Sequence, residues 1–365
     1  MRMKMMRQSS QDRMIKKTSG TLLELLQIDS DNRADKSDIV RYVVGELREC
    51  GMEVKIVGNE DTPAIFATNG PGGVIFSGHL DTVPIGSGWK RKQGEIAKGR
   101  MYGRGTADMK GAVASMLHAA ETLTEDGVPC SLMLTTDEEE KMLGALELSK
   151  IDALKKAPAI IICEPTGLNV ACKEKGVYRF RLITHGKAAH SSQSWLGENA
   201  ILKMHSLLGR LSDLAKIPRG PTDGLTMCFA TIKGGTKNNV VPDRCETEID
   251  VRFPAPQTPD DIANILHKRL GGEGYDIEVI YGLDAFETDP KFWVVDEIKR
   301  LLGTKVISVP YATEAPRYAK ANSSIYVCGP GEPEMAHVVD ECVDIGELEK
   351  AYEMLVHLAK RAAQG

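Results

Sequence analysis

The chain has 365 residues, 42% of them hydrophobic and 27% charged, and its 46 basic and 51 acidic residues leave a formal charge of −5. This is a globular composition on a chain too long for one ordinary core, so two domains are expected. The absence of a long basic block argues against nucleic acid or an anionic membrane as a partner, and no apolar run is long enough to cross a bilayer.

The start, Met1 to Arg7, is basic, but polar Gln8 to Arg13 follows it with no apolar stretch, so no secretory signal is read there. Residues 12–28 and 37–50 carry apolar side chains at helical spacing, and 52–57 and 64–68 read as short strands. After the turn Pro71-Gly72-Gly73, the run Val74 to Ser77 reads as a buried strand. Gly78 is expected to turn the backbone so that His79 and Asp81 emerge on one face at its carboxyl end. A loop is expected over 86–99. The segment Gly103-Arg-Gly105-Thr-Ala-Asp108 then leads into a helix bearing Val113, Met116, Leu117 and Ala120. Asp108 either caps that helix or serves chemistry.

Two further apolar runs follow the same pattern. Ser131 to Thr135 ends in Thr136-Asp137-Glu138-Glu139-Glu140, and Ala159 to Cys163 ends in Glu164-Pro165-Thr166. From about Lys175 the pattern changes. Strands at 177–184, 225–232, 247–253 and 276–281 and helices at 198–211 and 259–270 give the order β-α-β-β-α-β, that of a split-βαβ, ferredoxin-like sandwich. The expected arrangement is thus an α/β catalytic domain of 1–173 and 283–365, with a mixed central sheet flanked by helices, interrupted by an α+β lid domain of 174–282. In the last part, 292–302 reads as a helix, 305–310 and 323–328 as strands, Gly329 to His337 as a loop and 343–361 as a closing helix. Eight cysteines are scattered with no C-x-x-C pair, as in the reduced thiols of a cytoplasmic protein.

Collected, the residues at strand ends and on the glycine-rich loop are His79, Asp108, Glu138, Glu139, Glu164 and His337. Two histidines and several carboxylates without a thiolate suit Zn²⁺, Co²⁺ or Mn²⁺. A carboxylate such as Asp108 can bridge two metals at the ~3.5–4 Å separation of two-metal hydrolases, which leaves one glutamate to act as general base. A nucleotide cradle is not supported, since neither G-x-x-x-x-G-K-[ST] nor G-x-G-x-x-G is present.

His79-x-Asp81, Gly103-Arg-Gly-Thr-Ala-Asp108-Met-Lys-Gly111, Thr136-Asp-Glu138-Glu139, Glu164-Pro-Thr, Gly186-Lys-Ala-Ala-His190-Ser-Ser and His337, in that order, closely resemble the M20 family of co-catalytic metallohydrolases. The resemblance implies two divalent metals, with Asp108 bridging, His79 and Glu164 completing one site, and Glu139 and His337 completing the other. Asp81 would orient His79 and Glu138 would be the base; the triple Glu138-Glu139-Glu140 leaves the register slightly open. His190 would hydrogen-bond the tetrahedral intermediate from a partner subunit, which implies a homodimer through the lid. Asn239, next to Asn238, resembles a lid asparagine near the substrate. Arg252 is either a clamp for a substrate carboxylate or an exposed strand arginine.

Thr106 to Gly111 and Tyr311-Ala-Thr-Glu314-Ala-Pro316 look like the acetylornithine deacetylase branch of that family. Glu314 would then meet the free amine of an N2-acetylornithine-like substrate, or be a surface acid, and Arg317 or Arg252 would meet its carboxylate. The implied reaction is hydrolysis of an N-acyl amino acid by metal-bound hydroxide with Glu138 as base, in arginine biosynthesis. Desuccinylation of succinyl-diaminopimelate, dipeptidase or carboxypeptidase activity, and a non-catalytic metal-binding relative are the alternatives.

Overall fold

The computed structural model describes residues 17–214, 224–272 and 274–364. The basic start read at Met1 to Arg7 lies outside them. The chain divides into two compact units: one of residues up to Cys172 with Thr288–Ile307 and Thr313 onward, the other of Lys173–Glu287 with Ser308–Ala312.

In the first unit the strands Val74–His79, Cys130–Thr135 and Ile160–Pro165 are buried along their whole length, which is why each reads as an unbroken apolar run. They are mutually parallel, and Ile325–Gly329 extends the parallel set beside Ile160–Pro165. Ala64–Thr68 and Glu53–Val57 continue the sheet antiparallel on the other side. The result is a mixed sheet whose parallel strands all present their carboxyl ends at one edge.

Alternation divides the side chains between the two faces. Val74, Phe76, Leu132, Leu134 and Ile161 join a core with the helices 17–27, Ser37–Glu49, Lys110–Glu125 and Ile345–Ala362. The short helices Leu143–Leu148 and Ala315–Tyr318 cover the other face, where Ser77 approaches Tyr318. Gly78 does not turn the chain. It lies inside the strand, and a Cβ there would sit 2.4 Å from Cε of Met109, so glycine serves a close approach at the start of the next helix.

The segment expected as a loop over 86–99 contains the strand Glu95–Ala97, which joins Arg100–Tyr102 and Cys342–Asp344 in a small separate sheet. Three-residue strands are too short for a period to show. The strand Val170–Glu174 and the helix Leu143–Leu148 are further short elements that the sequence reading does not place.

The second unit has the order β-α-β-β-α-β. Its antiparallel sheet runs Thr226–Gly234, Arg244–Phe253, Gly176–His185, Tyr275–Leu283, which is the ferredoxin-like order. Helices Ala200–Leu211 and Pro259–Leu270 pack on it through Met204, Leu211, Ile262 and Leu266 against Phe180, Leu182, Ile249 and Val251. Asn199 caps the first helix, and Thr258 with Asp261 forms a capping box on the second. The unit's limits are wider than the expected 174–282 because Phe286–Glu287 pairs with Lys173 and Glu174. Cys228, on the edge strand, is exposed, while six other cysteines are buried.

His118, on helix Lys110–Glu125, is 4% exposed and lies 3.2 Å from Oγ1 of Thr18. Burial, with Lys17 nearby, lowers its pKa to about 4 from 6.5. The unfolded chain takes up this proton as pH falls past 6.5, whereas the native chain resists until about 4. Stability is therefore lost across that window as the pH falls, by up to about 3 kcal/mol. His118→Gln is expected to flatten the loss of unfolding free energy between pH 6.5 and 4, read from urea titrations at each pH.

Candidate active site

The carboxyl ends of the parallel strands bring the sequence-predicted ligands together. His79 ends its strand wholly buried, with Nδ1 2.9 Å from the carbonyl oxygen of Asp81 and 3.5 Å from Asp81 Oδ1. Its Nε2 lies 3.0 Å from Asp108 Oδ1 and 3.6 Å from Glu164 Oε1. The second oxygen of Asp108 is 3.2 Å from Nε2 of His337, which is 2.8 Å from Glu139 Oε1. Two groups result, His79–Asp108–Glu164 and Asp108–Glu139–His337, each with its ligand atoms within 4.8 Å of one another. Asp108 does not cap the helix behind it, whose N-cap position falls on Met109.

The run of four acids divides by function. Asp137 accepts from the N–H groups of Leu143 and Gly144 at 2.6 and 2.9 Å and so starts the short helix there. Glu139 turns toward His337, and Glu140 is exposed. Asp81 holds the loop in place, since its Oδ1 and Oδ2 accept from the backbone N–H of Glu138 at 3.2 Å and of Glu139 at 3.0 Å.

These acids crowd one another. Burial pushes the Glu138 carboxyl well above its ordinary range, and the nearby Glu164 carboxylate pushes the same way. Burial also raises Glu164 and Glu139, against the opposing pull of the histidines. On Asp108 burial works against the charge, but both imidazoles outweigh it and hold the carboxyl well below its usual range. Contacts with Asp108 and Glu139 raise His337 to about 10. A field this negative, built of imidazole nitrogens and carboxylate oxygens, fits divalent cations of the Zn²⁺, Co²⁺ or Mn²⁺ kind.

The other expected residues have the following partners. His190 is exposed on the second unit, and its Nδ1 accepts from Ser192 N and lies 2.8 Å from Ser192 Oγ. Asn239, also exposed, accepts through its carbonyl from Ser191 N–H. Arg252 donates through Nε and Nη2 to the two oxygens of Asp250, which Arg179 also engages. Arg317 donates from Nη2 to the Lys141 carbonyl at 3.3 Å. Glu314 is neither exposed nor open. It is 1% accessible and accepts from the hydroxyls of Thr135 at 2.5 Å, Tyr318 at 3.0 Å and Ser77 at 3.2 Å, and burial pushes it up to about 7.

Sequence reasoning missed Glu341 and Arg104. Glu341 accepts from the N–H groups of Ala107 and Asp108 and from Arg104 Nη1, and burial with the nearby Asp108 pushes it up to about 7. An acid four residues after a candidate histidine carries no periodic signal.

At the carboxyl edge of the parallel sheet, two groups of candidate metal ligands thus share Asp108, the arrangement of a candidate two-cation centre. The model of peptidase family M20/M25/M40 matches residues 75–361, and the chain belongs to that family. It is 31% identical to an acetylornithine deacetylase of Photorhabdus laumondii over 358 residues, covering 91% of each chain. Among solved structures, a tripeptidase of Staphylococcus aureus superimposes with a TM-score of 0.81 at 20% identity, covering 96% of this chain and 99% of its own. The YxeP protein of Bacillus subtilis, described as a dinuclear metal binding peptidase of the M20 family, does so at 0.74 and 16%, covering 97% and 99%. At these identities the two structures share the fold. No helix among the described residues is long and apolar enough to cross a membrane.

Asparagine at position 81 would keep one acceptor and turn an NH₂ group on the other backbone N–H. Asp81→Asn is therefore expected to weaken Zn²⁺ binding about 10–100-fold, measured by isothermal titration.

Proposed function

We propose that this chain is a metal-dependent amidohydrolase that removes an N-acyl group, acetyl in the first instance, from an amino acid such as N2-acetylornithine. The observation that carries the reading is the joining of two ligand groups at Asp108 with Glu138 held beside them by Asp81. The deacetylase relatives, which match over nine-tenths of the chain, support the choice of substrate.

His79 and Glu164 would hold one cation, Glu139 and His337 the other, and Asp108 both. Bound there, two divalent ions, zinc first and cobalt or manganese as alternatives, would polarise the scissile carbonyl and make water acidic near neutral pH. Glu138 takes the proton from the attacking water and delivers it to the leaving amine. Asp81 keeps the His79 ring in one tautomer and the Glu138 backbone in place. His190 is proposed to act on a second copy of the chain, donating to the developing oxyanion there.

Arg252, Arg317 and Asn239 are the proposed contacts for the substrate carboxylate and backbone. The hydroxyls around Glu314 favour a role in holding strand ends over one in contacting the amine. The exposed edge strand Thr226–Gly234, with Phe229 and Ile232 in the open, is the surface proposed for a second copy of the chain. A cytoplasmic place in arginine biosynthesis goes with this substrate.

N2-acetylornithine, N-succinyl-diaminopimelate and a dipeptide, each assayed with added Zn²⁺ or Co²⁺, test the proposal. The acetyl substrate is expected to give the highest kcat/KM, and a chelator should abolish turnover. Preference for the dipeptide would make the chain a peptidase, and bound metal without turnover of any of the three would make it a binding relative. Glu138→Gln is expected to lower kcat about 10²–10⁴-fold; full activity would remove Glu138 as the base.

A further inference from the structure

Glu341 is fully buried and lies four residues after His337. Its Oε1 accepts from the backbone N–H of Ala107 at 2.9 Å and of Asp108 at 3.1 Å, and its Oε2 accepts from Arg104 Nη1 at 2.6 Å. Its carbonyl accepts the Gly103 N–H at 2.9 Å. The segment 103–108 is therefore docked onto this one residue at four points. The neighbouring Asp340 accepts from Lys90 and Arg91 N–H, which anchors the same turn from its other side.

His337 needs such an anchor more than His79 does. The His79 ring is buried and faces Asp81 through Nδ1. The His337 side chain is half exposed, its φ is +64°, and among the described residues no hydrogen-bond partner is seen for its Nδ1. Its place relative to Asp108 must come from the backbone, and Glu341 is the side chain that ties the two backbones together.

We propose that Glu341 is a positioning residue of the metal centre: it fixes the Asp108 peptide against the His337 turn, so that the group Asp108–Glu139–His337 closes on a cation. The inference rests on reading the two ligand groups as a dinuclear centre. A carboxylate suits this position because every group hydrogen-bonded to its oxygens is a donor. Glutamine would turn its NH₂ either on Arg104 or on the two N–H groups. Arg104 balances the charge, so Glu341 adds little to the surplus of negative charge beside it.

The test is Co²⁺ titration of the full chain stripped with chelator, followed by calorimetry and visible absorption. The wild-type chain is expected to bind two ions. Glu341→Gln is expected to bind the first within about three-fold of wild type and the second about 10–100-fold more weakly, with activity recovering at raised Co²⁺. Leu358→Ala, which empties part of the core of the same unit, serves as a control for lost stability and is expected to bind both ions normally. Wild-type affinity at both sites in Glu341→Gln, or an equal loss in Leu358→Ala, overturns the proposal. If Glu341→Gln does not fold, Glu341→Asp, one methylene short of the N–H groups, decides by the same criterion. A wild-type chain that binds fewer than two ions refutes the dinuclear reading itself.

Discussion

Carboxylates packed together out of water are the constraint on which the rest of this structure depends. Asp81, Asp108, Glu138, Glu139 and Glu164 converge at one edge of a sheet, and isolated burial of any one charge costs several kcal/mol. Asp108 is the pivot, because its two oxygens face different histidines and so belong to both ligand groups. The parallel sheet makes the convergence possible, since strands running the same way deliver His79, the 136–139 loop and Glu164 to the same edge.

Around these candidate ligands lies a set of acids that accept from backbone N–H groups. Asp81 holds the peptides of Glu138 and Glu139, Asp137 starts the helix that follows, and Glu341 holds the peptides of Ala107 and Asp108. Glu314 ties hydroxyls of two neighbouring strands, Ser77 and Thr135, to Tyr318. Charge-assisted bonds of this kind are stronger than neutral ones and fix geometry where loops would otherwise drift.

The second unit follows a different logic. One face of its sheet carries helices, and the other carries ion pairs such as Arg179–Asp250 and Arg181–Glu248. Burial pushes Asp250 up, but Arg252 and Arg179 outweigh it and hold the carboxyl below its ordinary value. Arg252 is thereby already engaged, and as a clamp for substrate it would have to share its fork with Asp250.

Much of this was legible in the chain alone. Uninterrupted apolar runs marked the parallel strands, alternation marked the second unit, and the chemistry of His79, Asp108, Glu164 and His337 at strand ends and loops marked the candidate site. These signals are local, set by the period of a strand or helix and by which residue stops it. Only the tertiary structure decided that Gly78 makes room for Met109, that Glu314 lies under hydroxyls away from the surface, that Glu139 in the acid run turns to His337, and that Glu341 docks the Asp108 segment. Each of these depends on a contact between residues far apart in sequence, and a local pattern holds no record of what will be packed against it.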